Sequence, residues 1–130
     1  MKEITITTHA RAELVDITDW VRREVRTAGV HDGVVTLFVP HTTAGITIQE
    51  NADPDVVHDL LLALERAVPW QSRDYRHAEG NTAAHVKASL VGNSAQVFIH
   101  NGDLALGTWQ AVYFCEFDGP RSRRLWIRVG

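Results

Sequence analysis

The sequence predicts a compact single α+β domain over residues 1–130, a mainly antiparallel sheet of about seven strands with three helices. Three observations lead there. Short stretches alternate apolar and polar residues, the period of half-buried strands. Hairpin-type turn residues join several of them. Only three stretches carry a helical apolar stripe together with start or stop residues.

Lys2–Thr8 sets Ile4 and Ile6 on one face and Glu3, Thr5 and Thr7 on the other, hence a strand. Leu14–Ile17 reads as a second, short one. Thr18 stands as N-cap of the first helix, with Asp19 close to its start. Trp20, Val21, Val25 and Ala28 form the apolar stripe, Gly29 closes it, and Arg22, Arg23 and Arg26 make the wet face. Asp32-Gly33 opens a strand over Val34–Pro40, in which Val35, Leu37 and Val39 share a face and Pro40 ends the ladder. The loop His41-Thr42-Thr43-Ala44-Gly45 leads into a strand from Ile46 to Glu50. There Glu50 continues an apolar face, so it needs a cation or donors, or it lies just past the core edge.

Asp53-Pro54-Asp55 is a helix start: cap, proline at the first position, acid in the first turn. Val56, Val57, Leu60, Leu61 and Leu64 form its buried stripe, His58 faces solvent, and Pro69 ends it. Trp70–Arg76 connects without a clear period. Gly80-Asn81 is a tight turn into a short helix ended by Gly92. Ala95–Ile99 is a strand, and Asn101-Gly102 is the strongest hairpin signal, because both central positions of a type I′ turn need positive φ. Trp109–Phe117 is the longest strand, Asp118-Gly119-Pro120 turns it, and Arg124–Val129 returns. Cys115, in mid-strand, reads as a packed small hydrophobe.

The formal net charge of −3 gives no basic field for nucleic acid or a membrane surface. One cysteine excludes an intramolecular disulfide. The alternating N-terminal residues have no continuous apolar run, so neither a signal peptide nor a membrane anchor is expected there, and a soluble, cytoplasmic protein is. The chain has no P-loop, dinucleotide fingerprint or Gly-x-Ser-x-Gly elbow.

The chemistry concentrates in His77–Gly92, which holds His77, Glu79, Asn81, His85 and Lys87. A polar turn feeding a helix N-terminus suits an anion or a metal, since first-turn N–H groups lack intrahelical partners. On a helical wheel Ala83, Ala84, Val86, Leu90 and Val91 define the apolar arc, and Lys87 falls inside it, whereas Thr82, His85 and Ser89 lie opposite. An ammonium in that arc either snorkels to water or meets an anion such as a phosphate in a cleft or at a subunit boundary. His77 and His85 have neither the i, i+4 spacing nor the Cys-x-x-Cys partner of common metal sites. A divalent ion, magnesium or zinc, would need the fold to bring His41 to His77 and His85. Trp109, after Gly107, either packs in the core or stacks on a planar ring beside Gln110. Arg121, Arg123 and Arg124 crowd the last turn as a solvated hairpin or as phosphate contacts.

At these residues the sequence resembles the YjbQ-like proteins, often described as secondary thiamine-phosphate synthases. The likeness runs over essentially the whole chain. It rests on His41-Thr42-Thr43-Ala44, Glu50-Asn51 with Asp53-Pro54-Asp55, His77-x-Glu79-Gly80-Asn81, His85-x-Lys87 through Leu90-x-Gly92, and Leu106-Gly107-Thr108-Trp109-Gln110. One departure is Ala83-Ala84, where the family pattern has an acidic or other polar residue just before the small residue and the histidine. A contact from that position is absent here.

The resemblance implies a homotrimer with a cleft near the subunit interface. It also implies joining of a hydroxymethylpyrimidine diphosphate to a thiazole phosphate with release of pyrophosphate. On this reading His41, Glu50, Glu79, His85 and Lys87 are the catalytic candidates. Thr42, Thr43, Asn81, Trp109, Gln110 and Arg124 are the substrate-binding ones, and His41, His77 and His85 are the metal ligands. The departing pyrophosphate needs positive charge, from Lys87, an arginine or a held metal. Two other classes use the same residues: an oligomeric module that captures a phosphorylated metabolite or metal without turnover, and a metal-dependent phosphohydrolase.

Overall fold

Alternating side chains from two antiparallel sheets and one helix meet in a core of sixteen buried apolar residues, among them Ile6, Leu37, Ile46, Phe114, Leu125 and Ile127. The computed structural model describes residues 1–130. The chain order is β1 (Lys2–Thr7), β2 (Glu13–Asp16), α1 (Thr18–Ala28), β3 (Gly33–Phe38), β4 (Ala44–Glu50), α2 (Pro54–Ala67), α3 (Thr82–Val91), β5 (Ser94–His100), β6 (Asp103–Leu104), β7 (Gln110–Glu116) and β8 (Ser122–Val129). One sheet has the order β1-β8-β3-β5-β6 and the other β2-β7-β4. The α+β class, the three helices and the antiparallel pairing are as the sequence predicts. The eighth strand is β6, two residues that return from Asn101-Gly102, whose φ angles of 51° and 77° are both positive.

Several local expectations are corrected. Thr18 is the first residue of α1, not its cap. Its N–H and its hydroxyl both donate to Asp16 Oδ1, at 3.0 and 2.6 Å, so the Asp two residues earlier organises the helix entry. The Thr18 oxygen in turn accepts from the Val112 N–H and ties α1 to β7. Only Thr18, Val21 and Val25 of α1 are buried, and Trp20 and Ala28 are exposed. The stripe is narrower than predicted because α1 meets the sheets along a single line.

Asp53 caps α2 as predicted, accepting from the Asp55 N–H at 2.9 Å. The predicted stripe is not buried, however: no residue of α2 is fully covered. Val57 and Leu64 rest, half-covered, on a second small core of Ala84, Ala88, Ala111, Tyr113, Cys115 and Phe117. Burial pushes the Cys115 thiol up to about 12, in keeping with a packing role.

The wheel for α3 is rotated from the predicted one. Its covered face is Ala83, Ala84, Lys87 and Ala88, and Val86 and Leu90 are exposed. The cause is close approach. Alanines let α3 lie against β4 at Gly45, where an added Cβ would stand 2.5 Å from the Gly92 carbonyl oxygen. That carbonyl accepts from the Ile46 N–H at 3.0 Å and fixes the helix end on the strand.

Candidate functional site

The start of β4, the end of β7, the turn into β8 and the N-terminus of α3 converge at one end of the three-stranded sheet. Glu116, the last residue of β7, is fully buried and organises the junction. Its carboxylate accepts from Thr8 Oγ1 (2.7 Å), Arg123 Nε (2.9 Å) and Nη2 (2.5 Å), and the N–H groups of Phe117 (3.0 Å) and Asp118 (2.9 Å). Burial pushes the Glu116 pKa up, but the bonds from Arg123, Asp118 and Thr8 outweigh it and hold the carboxyl below its usual range. Arg123 Nη2 also donates to the Thr43 hydroxyl and carbonyl oxygens, at 2.8 and 3.2 Å. Asp118 accepts from Asn81 Nδ2 at 2.8 Å and pairs with Arg121 at 3.1 Å. Asn81 therefore anchors the start of α3 to the β7–β8 turn, and its side chain makes no cap.

Over this junction lies a cleft of about 420 Å³ whose wall, apart from Pro40, is made of polar and charged residues. His41, Thr42 and Thr43 form one side, His77, Glu79, Asn81 and His85 the other, and Asp118, Arg121 and Arg123 the floor and rim. His41, Thr42 and His85 also line an adjoining lobe that runs along α3 to Gly92 and Asn93. The His77 and His85 rings meet edge to face, centroids 5.4 Å apart at 85°. His77 Nε2 is 4.0 Å from Glu79 Oε1.

His41 has a defined state. Its Nε2 accepts from the Arg124 backbone N–H at 2.9 Å, which leaves the proton on Nδ1 as a donor. Burial first, then the charge of Arg123, lowers its pKa from the ordinary value. In a histidine-detected NMR titration the His41 ring should stay neutral until the pH is clearly below about 6.5. A histidine with a depressed folded pKa favours folding while it is neutral. That contribution is therefore present above the unfolded value and declines as the pH falls below it. Titration at or above the ordinary value would contradict the bond to Arg124.

Most of the segments singled out in the sequence meet here, but five of the candidate residues, Lys87, Glu50, Trp109, Gln110 and Arg124, do not bring their side chains to this cleft. Lys87 is not in the cleft. It is 3% exposed and donates to Glu65 Oε2 at 2.5 Å, so its anion is a carboxylate of α2, neither a phosphate nor solvent. That bond leads in drawing the Glu65 carboxyl below its usual range. Glu50, Trp109 and Gln110 sit at the far end of β4 and β7, a strand length on the order of 20 Å from the cleft. Trp109 is 61% exposed, neither a core residue nor a wall of the cleft, and Gln110 Oε1 accepts from the Gly107 N–H to close its own loop. Glu50 is half-exposed at the strand end, and its carbonyl accepts from the Tyr113 hydroxyl. Arg124 reaches the cleft only through its backbone, because its place in β8 turns the side chain toward Glu3, 3.8 Å away.

His41, His77 and His85 share the cleft wall without forming a ligand group within one chain. No three His, Cys, Asp or Glu side chains converge as ligands, and the Nε2 of His41 is already an acceptor for Arg124. The residues of one chain thus do not fit a held metal ion. The sequence reading missed Glu116 and Asp118 as site builders. The available signal was a carboxylate in the apolar run Ala111–Phe117, followed by arginines across the turn.

Fold and site define an α+β protein with a histidine- and arginine-lined cleft at one sheet end. The family model described as UPF0047 protein YjbQ-like matches residues 2–130. The chain is 50% identical to the UPF0047 protein YugU of Bacillus subtilis over 129 residues, 99% of this chain and 98% of that one. It is 48% identical to a UPF0047 protein of Methanocaldococcus jannaschii, over 95% and 89% of the two chains. Among solved structures, a conserved YjbQ/UPF0047 family protein from Clostridium acetobutylicum superposes with a TM-score of 0.97 at 50% identity over 100% of both chains. A YbjQ-like protein of unknown function from Sulfolobus solfataricus gives 0.92 at 32% identity, over 98% and 94%. The chain belongs to the YjbQ-like UPF0047 family. No helix is long and apolar enough to cross a membrane.

Proposed function

We propose that the cleft binds a small phosphorylated metabolite and moves a proton on it, and that thiamine-phosphate formation is the first reaction to test there. The observation that carries this is the convergence of His41, His77 and His85 with Arg121 and Arg123 in a cleft lined almost wholly by polar residues. Arg121 and Arg123 are each already paired with a carboxylate. They therefore present fixed N–H donors rather than a mobile excess of charge, and donors held in advance suit charge that develops on a leaving phosphate. His41, neutral with its proton on Nδ1, adds a further donor. His85, which faces both lobes, is the group for proton transfer. In the synthase reaction the thiazole nitrogen bonds to the pyrimidine methylene carbon as the carbon–oxygen bond to pyrophosphate breaks, and His85 gives a proton to the departing pyrophosphate oxygen. A divalent ion would be held by the diphosphate of the substrate rather than by the chain, and would neutralise its charge.

The test supplies both phosphorylated precursors with magnesium and measures thiamine phosphate. The wild type should exceed a His85→Ala, Arg121→Ala double variant by about a hundredfold, the scale of a lost acid–base group. Equal rates would remove the synthase reading. Binding of inorganic phosphate without turnover would then favour a capture module.

A homotrimer is part of the same proposal. Its support is the apolar surface left on α2, where Leu62 is exposed and no residue is fully covered, together with Val86 and Leu90 on α3. Light scattering on the eluting protein should give three times the 14.5 kDa chain mass. A monomer mass would refute it.

A further inference from the structure

The polar cleft has a neighbour that neither the motifs nor the proposed chemistry uses. Past the turn from His77 to Asn81, a second lobe of about 520 Å³ opens in the loop between α2 and α3. His77 belongs to the walls of both spaces, so the two adjoin at a single imidazole. The walls differ in kind. The first space has no aromatic side chain but its histidines, whereas the second is faced by Trp70 and Tyr75, with Arg73 beside them.

Both aromatic rings are fixed before any ligand arrives. The Arg11 guanidinium covers one face of Trp70, 4.3 Å from the ring centroid, and the Trp70 backbone N–H donates to Glu65 Oε1 at 3.3 Å. The Tyr75 hydroxyl donates to the Pro69 carbonyl at 2.9 Å, and its N–H to the Ser72 carbonyl at 3.3 Å. A loop with little apolar burial that still locks two aromatic rings is shaped as a wall. Rings held in this way lose little conformational freedom on meeting a flat partner. Arg73, unlike Arg121 and Arg123, is exposed and has no carboxylate partner, so it is free to stack on a ring or meet its substituent.

We infer that this second lobe is a subsite for the planar aromatic part of the ligand whose phosphate lies in the polar cleft. The inference rests on the proposed phosphate site and adds where the ring of the ligand lies, against Trp70 and Tyr75 on the far side of His77. It also moves ring recognition from Trp109, at the opposite end of the sheet, to Trp70 and Tyr75.

The experiment is calorimetric titration of the full-length protein with inorganic phosphate, glycerol 3-phosphate and phenyl phosphate. Phenyl phosphate should bind about tenfold tighter than glycerol 3-phosphate, the scale of one aromatic contact. Trp70→Leu keeps an apolar filler on the second core, and Tyr75→Ala leaves that core untouched. Each should abolish most of the advantage while inorganic phosphate binds as in the wild type. Equal affinity of the two esters in the wild type overturns the subsite, and so does an advantage that survives both substitutions. Failure of inorganic phosphate and both esters to bind overturns the phosphate cleft and the subsite together. Phosphate binding without discrimination removes the subsite alone.

Discussion

Glu116→Ala should be the most damaging single substitution in this protein, lowering unfolding free energy in urea by about 3–5 kcal/mol. The carboxylate is fully buried and receives five hydrogen bonds, two of them from Arg123. Removing it leaves the Arg123 guanidinium buried without its charge partner, the Asp118 N–H loses its acceptor, and Thr8 Oγ1 keeps only the Arg121 carbonyl. Against a usual total of about 5–15 kcal/mol, that is enough to populate unfolded chains. A Glu116→Leu, Arg123→Met double variant should recover part of the loss, because the uncompensated charge is removed with its partner. A double variant worse than the single would show that the hydrogen bonds, not the charge, dominate. The pH dependence follows from the lowered folded pKa of Glu116. A carboxyl ionised more readily when folded stabilises above its unfolded value, and that contribution fades as the pH falls through the folded value. Glu116→Ala should therefore flatten the acid side of the stability profile.

Gly45→Ala comes second, with an expected cost of about 2–3 kcal/mol from overpacking. The added carbon would meet the Gly92 carbonyl oxygen at 2.5 Å and Val91 Cγ1 at 3.3 Å. The valine tip can shift, but the carbonyl cannot, because it accepts the Ile46 N–H. The thermal midpoint should fall by roughly 4 °C per kcal/mol. Relief requires β4 and α3 to separate, and these two elements carry Ala44 and His85 into the walls of the adjoining lobe, with Thr42 just ahead of β4. Phosphate affinity should then fall together with stability. An unchanged midpoint would mean that the two elements are not in close contact.

Elements governed by local rules were legible in the sequence. The Asp53-Pro54 start of α2 and the positive φ of Asn101-Gly102 depend on neighbours one or two positions away. The candidate site was legible as a set of segments: His41–Thr43, His77–Asn81 and His85 line one cleft. What failed needed distant partners. The fate of Lys87 depends on Glu65, which lies one helix earlier and shares no motif with it. Glu50 and Trp109 were grouped with the site because they stand in motifs. Antiparallel β4 and β7 instead carry the motif ends to opposite ends of one sheet. A helical wheel could not orient α3, because the docking face was chosen by a glycine on another strand.

The position of β8 bears on the order in which the chain can fold. This strand pairs with β1 on one side and β3 on the other, and its register joins Lys2 to Ile127. Before β8 arrives, the larger sheet consists of a lone β1 and a separate β3-β5-β6 ladder, each with an unpaired edge. Closing it spans nearly the full sequence, a non-local step that slows folding and leaves sheet edges open to other chains meanwhile. Nascent chains of this protein are thus most exposed to aggregation until residues 122–129 are available, and a chaperone or prompt assembly would act in that interval.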